Sequence, residues 1–331
     1  MKRLIQVGVG GIGAHWASVA AASEKWQTAA YVDTNHKNLM AAAARHGMPR
    51  NRCYTNLARA LREVEADALL DITPRQFRKE VCTAAMESNL DVLCERPLAD
   101  NLRNAKRLVS RAQRLGRILM VGQDYRYMAF PQTAKRFLAN GKLGELGYVG
   151  ICFHKGLHFD GVREKITFPF LLDRSIDHFD LVRFLMNSDV HAVQGAPINA
   201  SWNSSKSDAG VMAMFELENG ISVNYHASWF AKGWETPSSG NWRFDGSQGV
   251  LLWEDDELYF SSAPTRRRKL RPLKWPVAGH AYLLDAFAEA VESRRAPETD
   301  ASDNLKSLAI MYALVRAGKE KRCVELREVL K

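Results

Sequence analysis

Apolar residues recur along this chain in two different rhythms, and the rhythm changes near residue 125. Before that point, short apolar runs alternate with stretches whose apolar positions return every three or four residues. Residues 4–7, 28–32, 68–72, 91–94 and 117–121 read as strands, and 12–22, 38–46, 57–64, 78–88 and 101–115 as helices between and after them. Such alternation predicts βαβ units and a parallel, doubly wound sheet. Beyond residue 125, helices at 127–139 and 171–186 accompany a strand at 148–153. Strands then follow at 190–195, 211–216, 221–228, 241–245, 250–253 and 258–261, with turns at Glu218-Asn219-Gly220 and Ser247-Gln248-Gly249. Period-two alternation between such turns predicts a largely antiparallel sheet. Helices at 281–293 and 304–318 complete the pattern.

The first strand runs straight into Gly8-Val9-Gly10-Gly11-Ile12-Gly13, a G-x-G-x-x-G spacing between a strand and a helix. Gly8 permits the tight turn, Gly10 lets backbone approach a pyrophosphate, and Gly13 removes a Cβ where helix packs on strand. The helix start at Gly11 and Ile12 then offers N–H groups and a positive dipole end to phosphates. The second strand ends in Asp33, placed to accept hydrogen bonds from the adenosine ribose hydroxyls. A carboxylate there repels a 2′-phosphate and favours NAD over NADP, although His36 and Lys37 nearby soften that repulsion. Residues 1–124 therefore read as a Rossmann dinucleotide-binding domain. Ligands of such sheets lie beyond the carboxyl ends of the strands, so the loops of Thr73 and Pro74, of Glu95, Arg96 and Pro97, and of Gln123, Asp124 and Tyr125 are expected around the nicotinamide half. The overall expectation is an α/β chain, with residues 125–331 forming an α+β unit around a large, mostly antiparallel open sheet.

Composition narrows this picture without redirecting it. Apolar residues make up 46% and charged residues 25%, as in soluble globular domains. No apolar run reaches the roughly 20 residues of a membrane helix. The N-terminal residues enter a strand at once, so no cleaved signal is expected, and a cytoplasmic location follows. Cys53, Cys82, Cys94, Cys152 and Cys323 are scattered and contain no C-x-x-C, which speaks against a disulfide framework or a thiolate metal site. The net charge of +9 is concentrated at Arg266-Arg267-Arg268-Lys269-Leu270-Arg271. With no aromatic ladder beside it, this cluster reads as a solvated loop or a charge-protected strand edge rather than a nucleic-acid site. His154, His158 and Asp160 lack ligand spacing, so no metal is expected.

Several further pieces occur in order: Cys94-Glu95-Arg96-Pro97, Tyr125-Arg126-Tyr127, Asp173-Arg174-Ser175-Ile176-Asp177-His178-Phe179-Asp180 and Pro297-Glu298-Thr299-Asp300. Taken with the glycine turn and Asp33, the chain resembles the Gfo/Idh/MocA oxidoreductases over essentially its whole length. The resemblance implies hydride exchange between a nicotinamide cofactor and a hydroxyl carbon of a sugar, polyol, cyclitol or sugar acid. It also implies a substrate-binding C-terminal domain whose sheet builds a homodimer or homotetramer, with neither membrane nor nucleic acid as partner.

Two departures fall on the chemistry. The family usually has Glu-Lys-Pro where this chain has Arg96, and Asp-x-x-x-His-x-x-Asp where it has Asp177 in the histidine position. Arginine stays charged, so Arg96 can orient an oxygen and stabilise an alkoxide but cannot accept its proton. At 100° per residue, Asp173, Asp177 and Asp180 share one helix face, while His178 points about 100° away from Asp177. Asp177 is thus the leading base, with Asp173 as partner and Arg96 as electrostatic clamp. Lys155 is a candidate to replace the missing amine, and Tyr125, Arg126 and His178 are candidate substrate contacts. Trp229, Trp234 and Trp242 offer sugar-stacking faces, and the loop at 231–239 is a candidate border of the pocket. Two other functions remain open: an NAD-holding protein without turnover, and a glycoside-cleaving enzyme that uses NAD transiently.

Overall fold

The computed structural model describes residues 1–156, 168–203, 207–275 and 277–331. The chain divides into two compact units, Met1–Tyr127 with Val277–Leu305, and Met128–Pro276 with Lys306–Lys331. No helix among the described residues is long and apolar enough to cross a membrane.

The first unit is a six-stranded parallel sheet of β1 (Lys2–Val7), β2 (Trp26–Val32), β3 (Cys53–Tyr54), β4 (Ala68–Asp71), β5 (Asp91–Glu95) and β6 (Leu119–Gly122). The spatial order is β3-β2-β1-β4-β5-β6, so the winding direction reverses between β1 and β4. That reversal opens a crevice at the carboxyl ends of the two strands. The central strands are buried on both faces, which is why Leu4-Ile5 and Leu69-Leu70 form continuous apolar runs rather than alternating ones. Helix α1 (Ile12–Ala21) buries Trp16, Ala17 and Ala20 against the sheet. Helix α2 (His36–His46) is capped by Asn35, whose side chain accepts the Lys37 and Asn38 N–H groups.

The division departs from the expected boundary because residues 277–305 pack with the first unit. Helix α8 (Gly279–Ser293) lays Leu283, Leu284 and Phe287 into the same core as Leu4, Trp16 and Trp26. The Trp26 indole stacks on Phe287 at 5.3 Å and donates to the Leu284 carbonyl at 2.9 Å.

The second unit is built on nine strands. They are β7 (Leu146–His154), β8 (Val190–Ile198), β9 (Gly210–Leu217), β10 (Ser222–Ser228), β11 (Asn241–Gly246), β12 (Gly249–Glu254), β13 (Glu257–Ala263), β14 (Arg266–Leu270) and β15 (Val324–Glu325). Among the described residues of this sheet, only β7 and β10 pair in parallel; the other pairs are antiparallel. Helices α6 (Ala129–Ala139) and α7 (Ile176–Met186) belong to this unit, and every residue of α7 is buried. On β9 and β10, Val211, Ala213, Phe215, Val223 and Tyr225 face inward, while Met212, Met214 and His226 face solvent. The basic cluster forms β14 at the end of the sheet, where Arg267 pairs with Glu254 and Lys269 with Glu257. Of the two readings of that cluster, the charge-protected edge is the one found.

Candidate active site

At the glycine turn the sequence leaves almost no atomic freedom. Gly8 has φ +86°, and a Cβ there would lie 2.8 Å from the Ile72 carbonyl oxygen. A Cβ on Gly13 would lie 2.3 Å from the Gly8 carbonyl oxygen, so α1 rests on the end of β1 only because that side chain is missing. From beneath, the buried Gln6 amide donates to the Gly8 and Gly13 carbonyls at 3.0 and 2.7 Å. No side chain caps α1 at Gly11, and the space beyond Gly11 is open. An uncapped helix start facing open space is what a phosphate group requires. The cradle therefore fits a dinucleotide.

Asp33 stands at one end of the cleft above this turn. Its two carboxylate oxygens accept the Val9 N–H at 2.9 Å and the Asn35 N–H at 2.8 Å, which fixes the group while leaving lone pairs for ribose hydroxyls. His36 lines a separate depression with Arg50, Arg52 and Arg59 and is not among the cleft residues. The cleft itself has a volume of about 870 Å³ and is lined by Gly8, Gly10, Gly11, Ile12, Asp33, Thr73, Pro74, Glu95, Arg96 and Tyr125, all expected there. Asp124, from the same expected loop as Tyr125, lines it too, as does His280. The Thr73 turn is held by buried Asp71, which accepts the Thr73 N–H and hydroxyl at 2.9 and 2.6 Å.

The opposite end of the cleft is a cluster of charge. Glu95 accepts the Trp16 indole N–H at 2.8 Å and the Arg96 N–H at 3.0 Å, and His280 Nε2 lies 3.5 Å from its Oε1. Burial alone would raise the Glu95 pKa. The hydrogen bond from His280, the Arg96 charge and the Trp16 N–H overcome that and hold it at about 2. Burial raises the Asp124 pKa, with His280 and Arg96 opposing. Burial also opposes charge on His280, yet its hydrogen bond to Glu95 and the nearby Asp124 and Glu95 carboxylates lift its pKa above the usual imidazole value. Sequence reasoning passed over His280, which sits just ahead of the expected helix at 281–293 and belongs to no motif.

Two expectations about this end require correction. Gln123 is buried and does not line the cleft, whereas Asp124 and Tyr125 of the same expected loop do. Arg126 is buried with its guanidinium 2.8 Å from Asp303, and it is not a cleft residue either. A buried guanidinium committed to a carboxylate is a structural cation rather than a contact for substrate hydroxyls.

In the second unit, residues Leu171–Ser175 form a π-helical turn before α7 begins. The π turn carries Asp173 and Arg174, and α7 carries Asp177 and Asp180. Asp180 accepts the buried Ser307 hydroxyl at 3.0 Å. Asp177 has no exposed surface and lies 3.3 Å from Arg174, whereas Asp173 is half-buried. A general base must come within hydrogen-bond reach of its proton, so Asp177 as it stands is poorly placed to be the leading base. His178 is buried among Phe153, Tyr225 and Trp242, with Nδ1 2.9 Å from the Tyr225 hydroxyl, which continues to Ser175 at 3.1 Å. It is a core histidine, and its expected substrate contact is withdrawn. Lys155 is paired with Glu235 at 3.1 Å. Trp229 and Trp242 are buried, leaving Trp234 as the exposed indole of the three. His158 and Asp160 lie outside the described residues, and among the described residues no three His, Cys, Asp or Glu side chains are grouped to hold a metal.

The chain is similar to known proteins over both units. Residues 2–123 match the family model of an oxidoreductase family with an NAD-binding Rossmann fold, and residues 131–252 match the GFO/IDH/MocA C-terminal domain. The chain is 23% identical to the 1,5-anhydro-D-fructose reductase of Ensifer adhaerens, covering 98% of this chain and 99% of that one. It is 27% identical to the inositol 2-dehydrogenase of Corynebacterium glutamicum, over 78% and 79% of the two chains. An oxidoreductase from Agrobacterium radiobacter, solved with NAD+, L-tartaric acid and magnesium, shares the fold with a TM-score of 0.87 at 20% identity, covering 99% of both chains.

Proposed function

The chain belongs to the Gfo/Idh/MocA oxidoreductases, and from that premise we propose that it is a dehydrogenase exchanging hydride between NAD and a hydroxyl carbon of a sugar, polyol, cyclitol or sugar acid. One observation carries the proposal: a cleft with an uncapped, side-chain-free helix start in its floor, Asp33 at one end and Arg96 at the other. The curated relatives named as a sugar-derivative reductase and an inositol dehydrogenase support the substrate class.

The bound nicotinamide would supply the hydride acceptor or donor. The Gly8–Gly13 turn would hold its pyrophosphate and Asp33 the adenosine ribose, whose 2′ position the carboxylate keeps free of phosphate; this supports NAD over NADP. Oxidation of an alcohol also releases a proton, and Arg96 cannot take it. Its charge is suited to orient the substrate oxygen and stabilise a developing alkoxide. For the proton we assign Asp173, the half-exposed carboxylate of the π turn, with Asp177 as the partner that Arg174 holds in place. Lys155, already paired with Glu235, is assigned a supporting substrate contact, as is Tyr125. A homodimer through the solvent-facing side of β9 and β10 completes the reading, supported by Met212 and Met214, each more than half exposed.

The test is a panel of sugars, polyols, cyclitols and sugar acids, each incubated with the protein and NAD or NADP while reduced cofactor is followed by its near-ultraviolet absorbance. Cofactor reduction with at least one of them, faster with NAD, is expected. Dinucleotide binding with no turnover across the panel would make the chain an NAD-holding protein. Cleavage of a glycoside without net reduced cofactor would select the transient use of NAD.

A further inference from the structure

The charged end of the cleft carries a property that the hydride reaction alone does not require. Four groups meet there: Glu95 at the end of β5, Arg96 after it, Asp124 after β6, and His280 near the start of α8. The His280 ring also rests on α1, at 4.5 Å from the Trp16 ring and 5.0 Å from the His15 ring, and Arg78 of α4 (Arg75–Glu87) lines the cleft as well. Arg78 is directed to backbone, donating to the Thr73 carbonyl at 3.0 Å and to the Pro97 carbonyl. Position 280 lies in the first turn of its helix, where the dipole disfavours a cation. A histidine is tolerated there as a cation because Glu95 Oε1 and Asp124 Oδ2 stand 3.5 and 3.9 Å from its Nε2.

The four groups sum to zero with His280 protonated and to −1 with it neutral, and the Glu95 and Asp124 carboxylates beside it favour the protonated form. The cofactor differs in the same currency. An oxidised nicotinamide ring carries a positive charge, and a reduced one carries none. With phosphates assigned to the glycine turn and ribose to Asp33, the nicotinamide half falls to the end where His280 stands.

We propose that His280 sets the preference of the cleft between oxidised and reduced dinucleotide: neutral His280 admits the cationic ring, and protonated His280 favours the uncharged one. This rests on the cofactor reading above. Binding of the oxidised form therefore expels a proton from His280, while binding of the reduced form does not. One like charge added at a separation of several ångströms in a partly solvated cleft changes affinity on the order of tenfold.

The experiment measures dissociation constants of the full chain for NADH by its fluorescence and for NAD by competition, between pH 6 and 9. In the wild type the ratio of NAD to NADH dissociation constants falls about tenfold as pH rises through this range. In His280→Gln the ratio is flat. Asp124→Asn, which removes one carboxylate that holds the imidazolium, moves the transition to lower pH while keeping its size. A flat ratio in the wild type, or an unchanged transition in a folded His280→Gln variant, overturns the proposal. So does an unmoved transition in Asp124→Asn. If neither dinucleotide binds the wild type at any pH, the cofactor reading falls and this inference with it, an outcome distinct from binding without pH dependence.

Discussion

Replacing Gly13 by alanine adds a single methyl group, and its effect can be worked from the turn itself. That methyl would stand 2.3 Å from the Gly8 carbonyl oxygen and 2.8 Å from its carbon, both backbone atoms that have no rotamer in which to retreat. A short carbon–oxygen contact is about 3.3 Å, so α1 must withdraw from β1 by roughly 1 Å. Overpacking of this kind costs about 1–3 kcal/mol, and alanine returns up to about 1 kcal/mol as the better helix former. The melting temperature is expected to fall by roughly 2–8 °C. The effect on binding should be far larger, because a displacement of about 1 Å in a positioning element can cost on the order of 100-fold. Fluorescence titration with NADH reads the affinity and a thermal melt reads the stability. Gly116→Ala is the control: its φ of +62° imposes a comparable strain on stability at the end of α5 (Leu102–Leu115), far from the cradle, and nothing obstructs the new methyl. Its affinity should match the wild type. A Gly13→Ala protein that binds NADH within threefold of the wild type would refute the assignment of the helix start as the phosphate cradle.

Other outcomes follow from the same structure. Asp173→Asn should lower turnover by roughly 100- to 10,000-fold with NADH affinity intact, the range expected for loss of a general base; full activity in that variant removes the assignment. Glu95 contributes stability because its folded pKa of about 2 lies below the ordinary 4.5. That contribution, on the order of 3 kcal/mol, is complete above the ordinary value and fades as pH falls toward 2, with about 2 kcal/mol lost between pH 5 and 3. Urea melts of wild type and Glu95→Gln should converge over that interval; a constant gap contradicts the charge cluster. Met212→Glu with Met214→Glu places two charges on the open sheet face and should convert a dimer to monomer by light scattering, and an unaltered mass would move the interface elsewhere.

The glycine turn was legible because glycine spacing between a strand and a helix carries the geometry, even though the Ile72 carbonyl that excludes a side chain at Gly8 lies far along the chain. Asp33 was legible for the same reason, as the residue at which a buried strand ends. Of the loop expected after β6, Asp124 and Tyr125 line the cleft while Gln123 is buried, a sorting made by the tight helical turn that starts at Asp124 and not readable from residue order alone. The burial of Asp177 and Asp180 was not legible, because a helical period tells which residues share a face and not what that face packs against. His280 was invisible because its partners Glu95, Asp124 and Trp16 are joined to it only through the packing of α8 on the first sheet. The boundary near residue 125 was legible as a change of rhythm, but the return of residues 277–305 was not, since a helix does not announce which sheet it covers.

That return has a consequence for the birth of the protein. Trp26 stacks on a phenylalanine encoded near the far end of the chain, so the first half of the molecule leaves the ribosome with part of its apolar surface bare. At 5–20 residues per second, the interval between the emergence of Tyr127 and that of Phe287 is on the order of 10–30 s. During it the cofactor cleft also lacks His280. A nascent chain can thus present a nucleotide fold with its sheet in place but its helical cover and its charge balance still unmade, and this interval is when a chaperone would find it.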